Sequence, residues 1–432
     1  MNTRETIDLL RTYESRNVLH VEPDGSWPIV WAKAKGVHVW DAEGRKYLDL
    51  TAAFGVAAAG HANPRVVEAA RQQLGTLVHA MGDVHPHARK AELARTLSRV
   101  TFERWQAPGR WLHGKTIFCN SGFEAVEAAL KTAMLATGRH GVIAFHGGYH
   151  GLGYGSLNTT HREHFRGPFK MQLKEFGHFV QFPSRAADLP IIELLIRRIF
   201  QRGWVGAILV EPIQARGGIN VPPPEFLRLL RRLCDEHKAL LILDEIYTGF
   251  GRTGRMFACE HDAVVPDVIC LGKALTGGFP LSACVGKADV MDAAWPESTG
   301  EAIHTSTFLG HPVGCAMALA HIDEIETHAL AEQSSSLGEF LLQELQAQLP
   351  MTGLHMLARG IGLMVGLELR AADGKPATAA ALKAIKAMLQ RGYILLPEGE
   401  RGNIISFTPP LTISRQQLSE TSAALAEVLN QQ

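Results

Sequence analysis

The chain has 432 residues, 46% hydrophobic and 20% charged, with 43 Lys and Arg against 43 Asp and Glu. That composition excludes a disordered, collagenous or coiled-coil chain, and the even charge leaves no basic field for nucleic acid or an anionic membrane. The length predicts one large domain with a smaller one beside it.

The stretch from Met1 to Ala32 carries both signs of charge and no apolar core, so it does not read as a secretion signal. No apolar run approaches the ~20 residues that cross a bilayer. Gly36–Leu50 predicts a hairpin, with Val37 and Val39 alternating with polar residues, a turn at Asp41–Gly44 and a return over Lys46–Leu50. Thr116–Cys119, Gly141–Phe145, Gly206–Val210, Leu240–Leu243 and Val268–Leu271 are short, unbroken apolar runs. Unbroken runs are what parallel strands covered on both faces require. Helical patterns at Glu124–Ala136, Ile191–Arg202 and Pro224–His237 fall between them, so a parallel α/β sheet is expected. Further on, Gly360–Arg370 and Ile404–Thr408 predict strands, with a helix near Thr378–Gln390 between them. We therefore divide the chain into residues 1–60 and 326–432, two parts of a small α+β domain, and a large domain over 61–325. The six cysteines (Cys119, Cys234, Cys259, Cys270, Cys284 and Cys315) form no C-x-x-C pair. They read as reduced, buried thiols of a cytoplasmic protein.

In an open α/β sheet, ligands bind beyond the carboxyl ends of the strands. Asp244-Glu245 follows the Leu240–Leu243 run, and Gly272-Lys273 follows Val268–Leu271. Each has an ordinary reading: an Asp capping a turn, a Lys reaching a loop surface. Together they offer a carboxylate and an amine in one cleft. A lysine in an apolar pocket loses proton affinity and becomes a usable nucleophile. The pair fits pyridoxal phosphate, with the lysine as Schiff-base partner and the acid holding the pyridinium proton. Asn120-Ser121-Gly122-Phe123-Glu124 opens a helix and reads either as a phosphate cup or as a plain N-cap by Ser121. His146-Gly147-Gly148-Tyr149-His150-Gly151 follows the Gly141–Phe145 run, and Tyr149 offers a flat face for stacking. His146 and His150 have the i, i+4 spacing that binds zinc on a helix, but the glycines around them argue against a helix, and no metal is expected.

These motifs resemble the class III pyridoxal-phosphate-dependent aminotransferases of fold type I, the ornithine and 4-aminobutyrate aminotransferase group. The resemblance runs from Val37 to Leu411. It is carried by Ser121-Gly122-x-Glu124-Ala125, Gly148-Tyr149-His150-Gly151, Glu211-Pro212-Ile213-Gln214, Asp244-Glu245-x-x-Thr248-Gly249-Phe250-Gly251-Arg252-Thr253-Gly254, Gly272-Lys273 and Ser306-Thr307-Phe308. It implies a mostly parallel central sheet with helices on both faces and a small α+β domain. It implies Lys273 as the Schiff-base lysine and Asp244 as the acid on the pyridine nitrogen. Tyr149 and Ile246 would cover the two ring faces, and Ser121, Gly122 and Phe123 would hold the phosphate. Thr307 would reach the phosphate from a neighbouring subunit, so a homodimer with shared sites is implied. The reaction would be transamination, with the Lys273 amine taking a proton from the substrate carbon and returning it to C4′ of the coenzyme.

The chain departs from the family in places. Phe123 stands where Thr, Ser or Ala is common. Tyr247 replaces Gln, and reads either as a donor to the coenzyme's 3′ oxygen or as a packing tyrosine. Arg216 and Ser406 replace a Glu and an Arg that face each other in the family. Arg216 is expected either to receive a substrate carboxylate or to pair with Glu398 or Glu400. Ser406 would then offer no anchor for 2-oxoglutarate. Phe54 matches a segment lining the substrate entrance, with core packing as the other reading. Phe407–Ile413 and Gly278-x-Pro280-Leu281-Ser282-Ala283 also resemble the amino-caprolactam racemases, so a racemase or epimerase of the same fold is the alternative. A nicotinamide dehydrogenase reading of Gly249–Gly254 is weak, because Asp244–Thr248 separates the glycines from the strand. A non-catalytic coenzyme-binding protein would have no need of both Lys273 and Asp244.

Overall fold

Successive side chains along each buried strand enter different cores. Ile143, Ile208, Val210, Leu241 and Leu243 join one apolar cluster, with Ile192 and Ile196 of the Leu189–Phe200 helix and Phe226 and Leu230 of the Phe226–His237 helix. Their neighbours Val142, Ala207, Leu209 and Ile242 join a second, beneath Ala125, Val126, Ala128 and Ala129 of the Gly122–Thr137 helix. Both faces are therefore covered, which is why the runs are unbroken in sequence. Each such Val, Leu or Ile contributes roughly 1.5–3 kcal/mol on full burial.

The computed structural model describes residues 1–107, 109, 111–348 and 353–431. Seven strands form the central sheet in the order Gly114–Cys119, Ser282–Lys287, Val268–Leu271, Leu240–Asp244, Val205–Val210, Gly141–Phe145, Gly177–Val180. Ser282–Lys287 runs antiparallel to both its neighbours, and the other pairs are parallel. The carboxyl ends of the five expected strands consequently lie along one edge. The Gly122–Thr137 helix ends at Gly138, whose φ of 68° is the left-handed conformation that glycine adopts without penalty.

Two further four-stranded sheets lie outside the central one, the first drawing on both chain ends and the second on the C-terminal part alone. In one, Trp31–Lys35, His38–Asp41 and Lys46–Asp49 are joined by Tyr393–Ile394, which lies parallel to Lys46–Asp49. In the other, Leu354–Ile361, Met364–Ala371, Ile404–Phe407 and Leu396–Glu398 form an antiparallel set. The single strand expected over Gly360–Arg370 is thus two strands joined by a tight turn. Gly362 makes that turn at φ 57°, and a Cβ there would come within 2.4 Å of the Thr253 carbonyl carbon. No described helix is long and apolar enough to cross a membrane.

One buried histidine makes stability depend on pH. His321, 1% exposed, accepts the Ala59 N–H at Nε2, and burial holds its pKa down at about 4. A depressed histidine stabilises the fold above its unfolded pKa, and that contribution is lost as pH falls from 6.5 through 4. The full effect is about 3 kcal/mol. In His321→Gln, the loss of chemical-denaturation stability between pH 7 and pH 4 should be smaller than in the wild type by an amount of that order. Equal losses in the two proteins would assign the titration elsewhere.

Candidate active site

The loops after the Gly141–Phe145, Val205–Val210, Leu240–Asp244 and Val268–Leu271 strands, with the start of the Gly122–Thr137 helix, enclose a cavity of 460 Å³. Lys273, Asp244, Tyr149, Ile246, Tyr247, Gly122, Phe123 and Arg216 line it, as do His150 and Glu211. Sequence motifs separated by up to 151 residues, Gly122 to Lys273, thus meet in one wall.

Asp244 ends its strand 4% exposed. Its Oδ2 lies 2.8 Å from Nδ1 of the buried His150, and its Oδ1 accepts the Ile246 N–H at 3.2 Å. A carboxylate only accepts, so Nδ1 of His150 carries the proton. The His150 main-chain N–H donates to Thr160 Oγ1 at 2.9 Å, which fixes the ring's base. Neighbouring Glu245 points away. It accepts from Thr248 Oγ1 and from the N–H groups of Ala258 and Cys259. The two adjacent acids therefore divide, one facing the cavity and one tying the following loop.

Lys273 follows Gly272 with φ 44°, a left-handed conformation that a non-glycine residue adopts at a cost. Burial pushes its amine below the ordinary lysine range, against the fields of Asp244 and Glu211. Its Nζ stands 4.5 Å from the centroid of the Tyr247 ring. The Tyr247 phenol is 3.1 Å from Thr408 Oγ1, and burial pushes it up to about 12. Glu211 accepts the N–H groups of Tyr149 and Ala215 at 2.9 and 3.1 Å, and burial raises its carboxyl to about 7.

At the helix start, the Glu124 carboxylate accepts the N–H groups of Asn120 and Ser121. Gly122 and Phe123 lie in the first turn, whose N–H groups have no partner within a helix. The Ser121 Oγ is buried and has no hydrogen-bond partner among the described residues. Phe123 lies against Gly151, where a Cβ would come 2.2 Å from the Phe123 Cβ, so glycine at 151 makes room for the ring. Ile246 lies against Gly122 and Gly272, where added Cβ atoms would meet it at 3.1 and 3.3 Å. An orphan hydroxyl at a helix N-terminus, a glycine-lined cradle and a buried amine fit a flat aldehyde carrying a phosphate, as pyridoxal phosphate does.

Other expected residues lie outside that wall. Thr307 is exposed. Phe54 is 51% exposed on the kinked Ala52–Gly55 segment, and Gly55 rather than Phe54 abuts the Tyr247 ring. Ser406 is buried and donates to the Leu396 carbonyl at 3.0 Å. His146 stacks on His161 with ring centroids 4.3 Å apart, while His150 turns to Asp244, so the two histidines do not converge. The Gly249–Gly254 loop is a structural joint. Buried Arg252 donates from it to the carbonyls of Leu363 and Pro409 at 2.9 and 2.6 Å. Sequence reasoning gave no role to His150 or Glu211. Their signal was present, since both sit in the quoted motifs just after strands.

The family described as Aminotransferase class-III matches residues 21–429. The chain is 38% identical over 418 residues to the 5-aminovalerate aminotransferase DavT of Pseudomonas aeruginosa, covering 94% of each. It is 35% identical over 429 residues to the acetylornithine aminotransferase of Methanopyrus kandleri, covering 99% of each. The crystal structure of the ornithine aminotransferase from Toxoplasma gondii superposes with a TM-score of 0.86 at 26% identity, covering 100% of this chain and 96% of that one.

Proposed function

The chain belongs to the class III aminotransferases, and within that chemistry we propose that Lys273 is the reacting amine, Asp244 the acid on the ring nitrogen and Ser121–Phe123 the phosphate cup. The enzyme depends on pyridoxal phosphate and moves an amino group from an amine or amino acid to a keto acid or aldehyde. When bound, the coenzyme supplies an electron sink for the pair freed as a substrate C–H is deprotonated.

The chain's own groups do the rest. Lys273 would hold the coenzyme through its aldehyde, and its amine would be the group placed to accept and return the substrate proton. Its lowered proton affinity keeps a neutral fraction available for that transfer. Asp244, oriented by His150, would hold the coenzyme's ring nitrogen and keep it protonated. Tyr149 and Ile246 would hold its ring, and Tyr247, too weak an acid to supply a second base near neutrality, walls the lysine side. One observation carries this reading: a buried amine and a histidine-braced carboxylate share one cavity at the strand ends.

The same reading includes a homodimer in a reducing compartment. Thr307 is exposed rather than in the wall, and Val78, Met81, Val84, Ile303 and Phe308 present apolar surface that a second copy would cover. All six cysteines are free and buried. The test of function is a single half-reaction. Mixed with an amino donor and no acceptor, the holoenzyme should lose its aldehyde absorbance and release one carbonyl product per site. Loss of the donor's optical rotation with no carbonyl product would instead indicate a racemase.

A further inference from the structure

We propose that Arg216 receives the carboxylate of an amino-acid donor or oxo-acid acceptor, which makes amino carboxylates, rather than simple amines, the substrate class. This rests on the aminotransferase reading and adds to it the charge of the substrate. Arg216 stands where three cavities adjoin, of 460, 790 and 440 Å³, the first holding Lys273. Three neighbouring arginines in these walls are engaged by the protein itself. Arg359 binds Glu368 and the carbonyls of Gly218 and Ile219. Arg370 pairs with Glu368, and Arg162 donates to the carbonyls of Gly399 and Glu400.

Arg216 has neither kind of partner. Among the described residues its guanidinium forms no ion pair and no hydrogen bond, and its Nε is buried without an acceptor. A buried N–H left in that state is costly unless a ligand completes it. The side chain is nevertheless held in place. Its guanidinium lies 5.1 Å from the Tyr149 ring centroid, and its main-chain carbonyl accepts the Gly399 N–H at 3.2 Å. Held over the Tyr149 ring, the guanidinium keeps N–H donors of the kind that bind a carboxylate in pairs. Glu398 lies close enough to feel the Arg216 charge, but among the described residues the two form no ion pair. The guanidinium therefore lines the cavity with no acceptor bound to it among the described residues.

The experiment compares wild type, Arg216→Ala and Arg216→Lys holoenzymes. Calorimetry measures binding of pentanoate and pentanamide, which carry no reacting amine. Steady-state kinetics compares 5-aminopentanoate with pentylamine. We expect the wild type to bind pentanoate at least tenfold more tightly than pentanamide. Arg216→Ala should erase that preference and lower the ratio of kcat/KM for the amino acid over the amine roughly 30-fold, and Arg216→Lys should restore part of it. Pentanoate preference or kcat/KM ratio unchanged within threefold in Arg216→Ala overturns the proposal. So does a wild type that completes the half-reaction with pentylamine but shows no carboxylate preference. A wild type that completes no half-reaction with any donor tells against the aminotransferase reading instead, and the binding comparison then still decides the role of Arg216.

Discussion

Lys273→Ala should lower kcat by at least about 10⁴-fold while leaving a folded protein that still takes up pyridoxal phosphate. The amine is asked to do two things, to hold the coenzyme and to carry a proton between two carbons. Proton transfer by a positioned side chain alone is worth roughly 10²–10⁴-fold, and losing the covalent hold adds to that. No other lysine lines the 460 Å³ cavity among the described residues, so no neighbour replaces it. Folding should survive because alanine inherits a left-handed φ of 44° that lysine already tolerates, and because Lys273 makes no ion pair among the described residues whose partner would be stranded. The check is turnover together with thermal unfolding of the same preparation. Turnover within tenfold of wild type would remove Lys273 from the chemistry.

The second large effect is expected at the carboxylate. Asp244→Asn keeps the shape of the side chain and removes its charge. It should lower kcat by roughly 10²–10⁴-fold, because a neutral amide does not hold a proton on a pyridine nitrogen and the electron sink weakens. Coenzyme uptake should change far less than kcat, since the phosphate cup at Ser121–Phe123 is untouched. His150→Leu should give a milder version. Its imidazole acts through Asp244 at 2.8 Å, and loss of an orienting partner costs roughly 10–100-fold where it has been measured at metal-bound histidines. The ordering matters more than either value. If His150→Leu were as severe as Asp244→Asn, the histidine would be in direct contact with the reacting groups. If Asp244→Asn were harmless, the ring-nitrogen assignment would fail.

Much of the positioning was legible in the chain because the central strands are buried on both faces. Val268–Leu271 and Gly141–Phe145 have no polar residue to blur their ends, and their observed limits match the expected ones. The residues just beyond them were therefore placed at the correct edge of the sheet. Ser282–Lys287 carries little strand signal, with one β-branched residue and an apolar run of only three, and its place is set by pairing on both sides. Gly360–Arg370 was read as one strand because nothing local announces that Gly362 must fit against the Thr253 main chain.

The site shows the same division. Lys273, Asp244 and the Ser121 turn each carry a local signature. The brace between His150 and Asp244 spans 94 residues and exists only once two strands lie in order. Arg216 could pair with an acid or await one as far as its sequence position goes. Only the surroundings separate those readings, since neither Glu398 nor Glu400 forms an ion pair with it in the fold. Ser406 is buried and donates to the Leu396 carbonyl, and Phe54 is half exposed, so neither lines the 460 Å³ cavity.

The most direct measurement is borohydride reduction of the holoenzyme, followed by proteolysis and mass mapping of the fixed coenzyme. The account predicts a single modified peptide carrying the pyridoxyl group on Lys273, and none in Lys273→Ala. Fixation on a different lysine, or equal fixation in the two proteins, would contradict it.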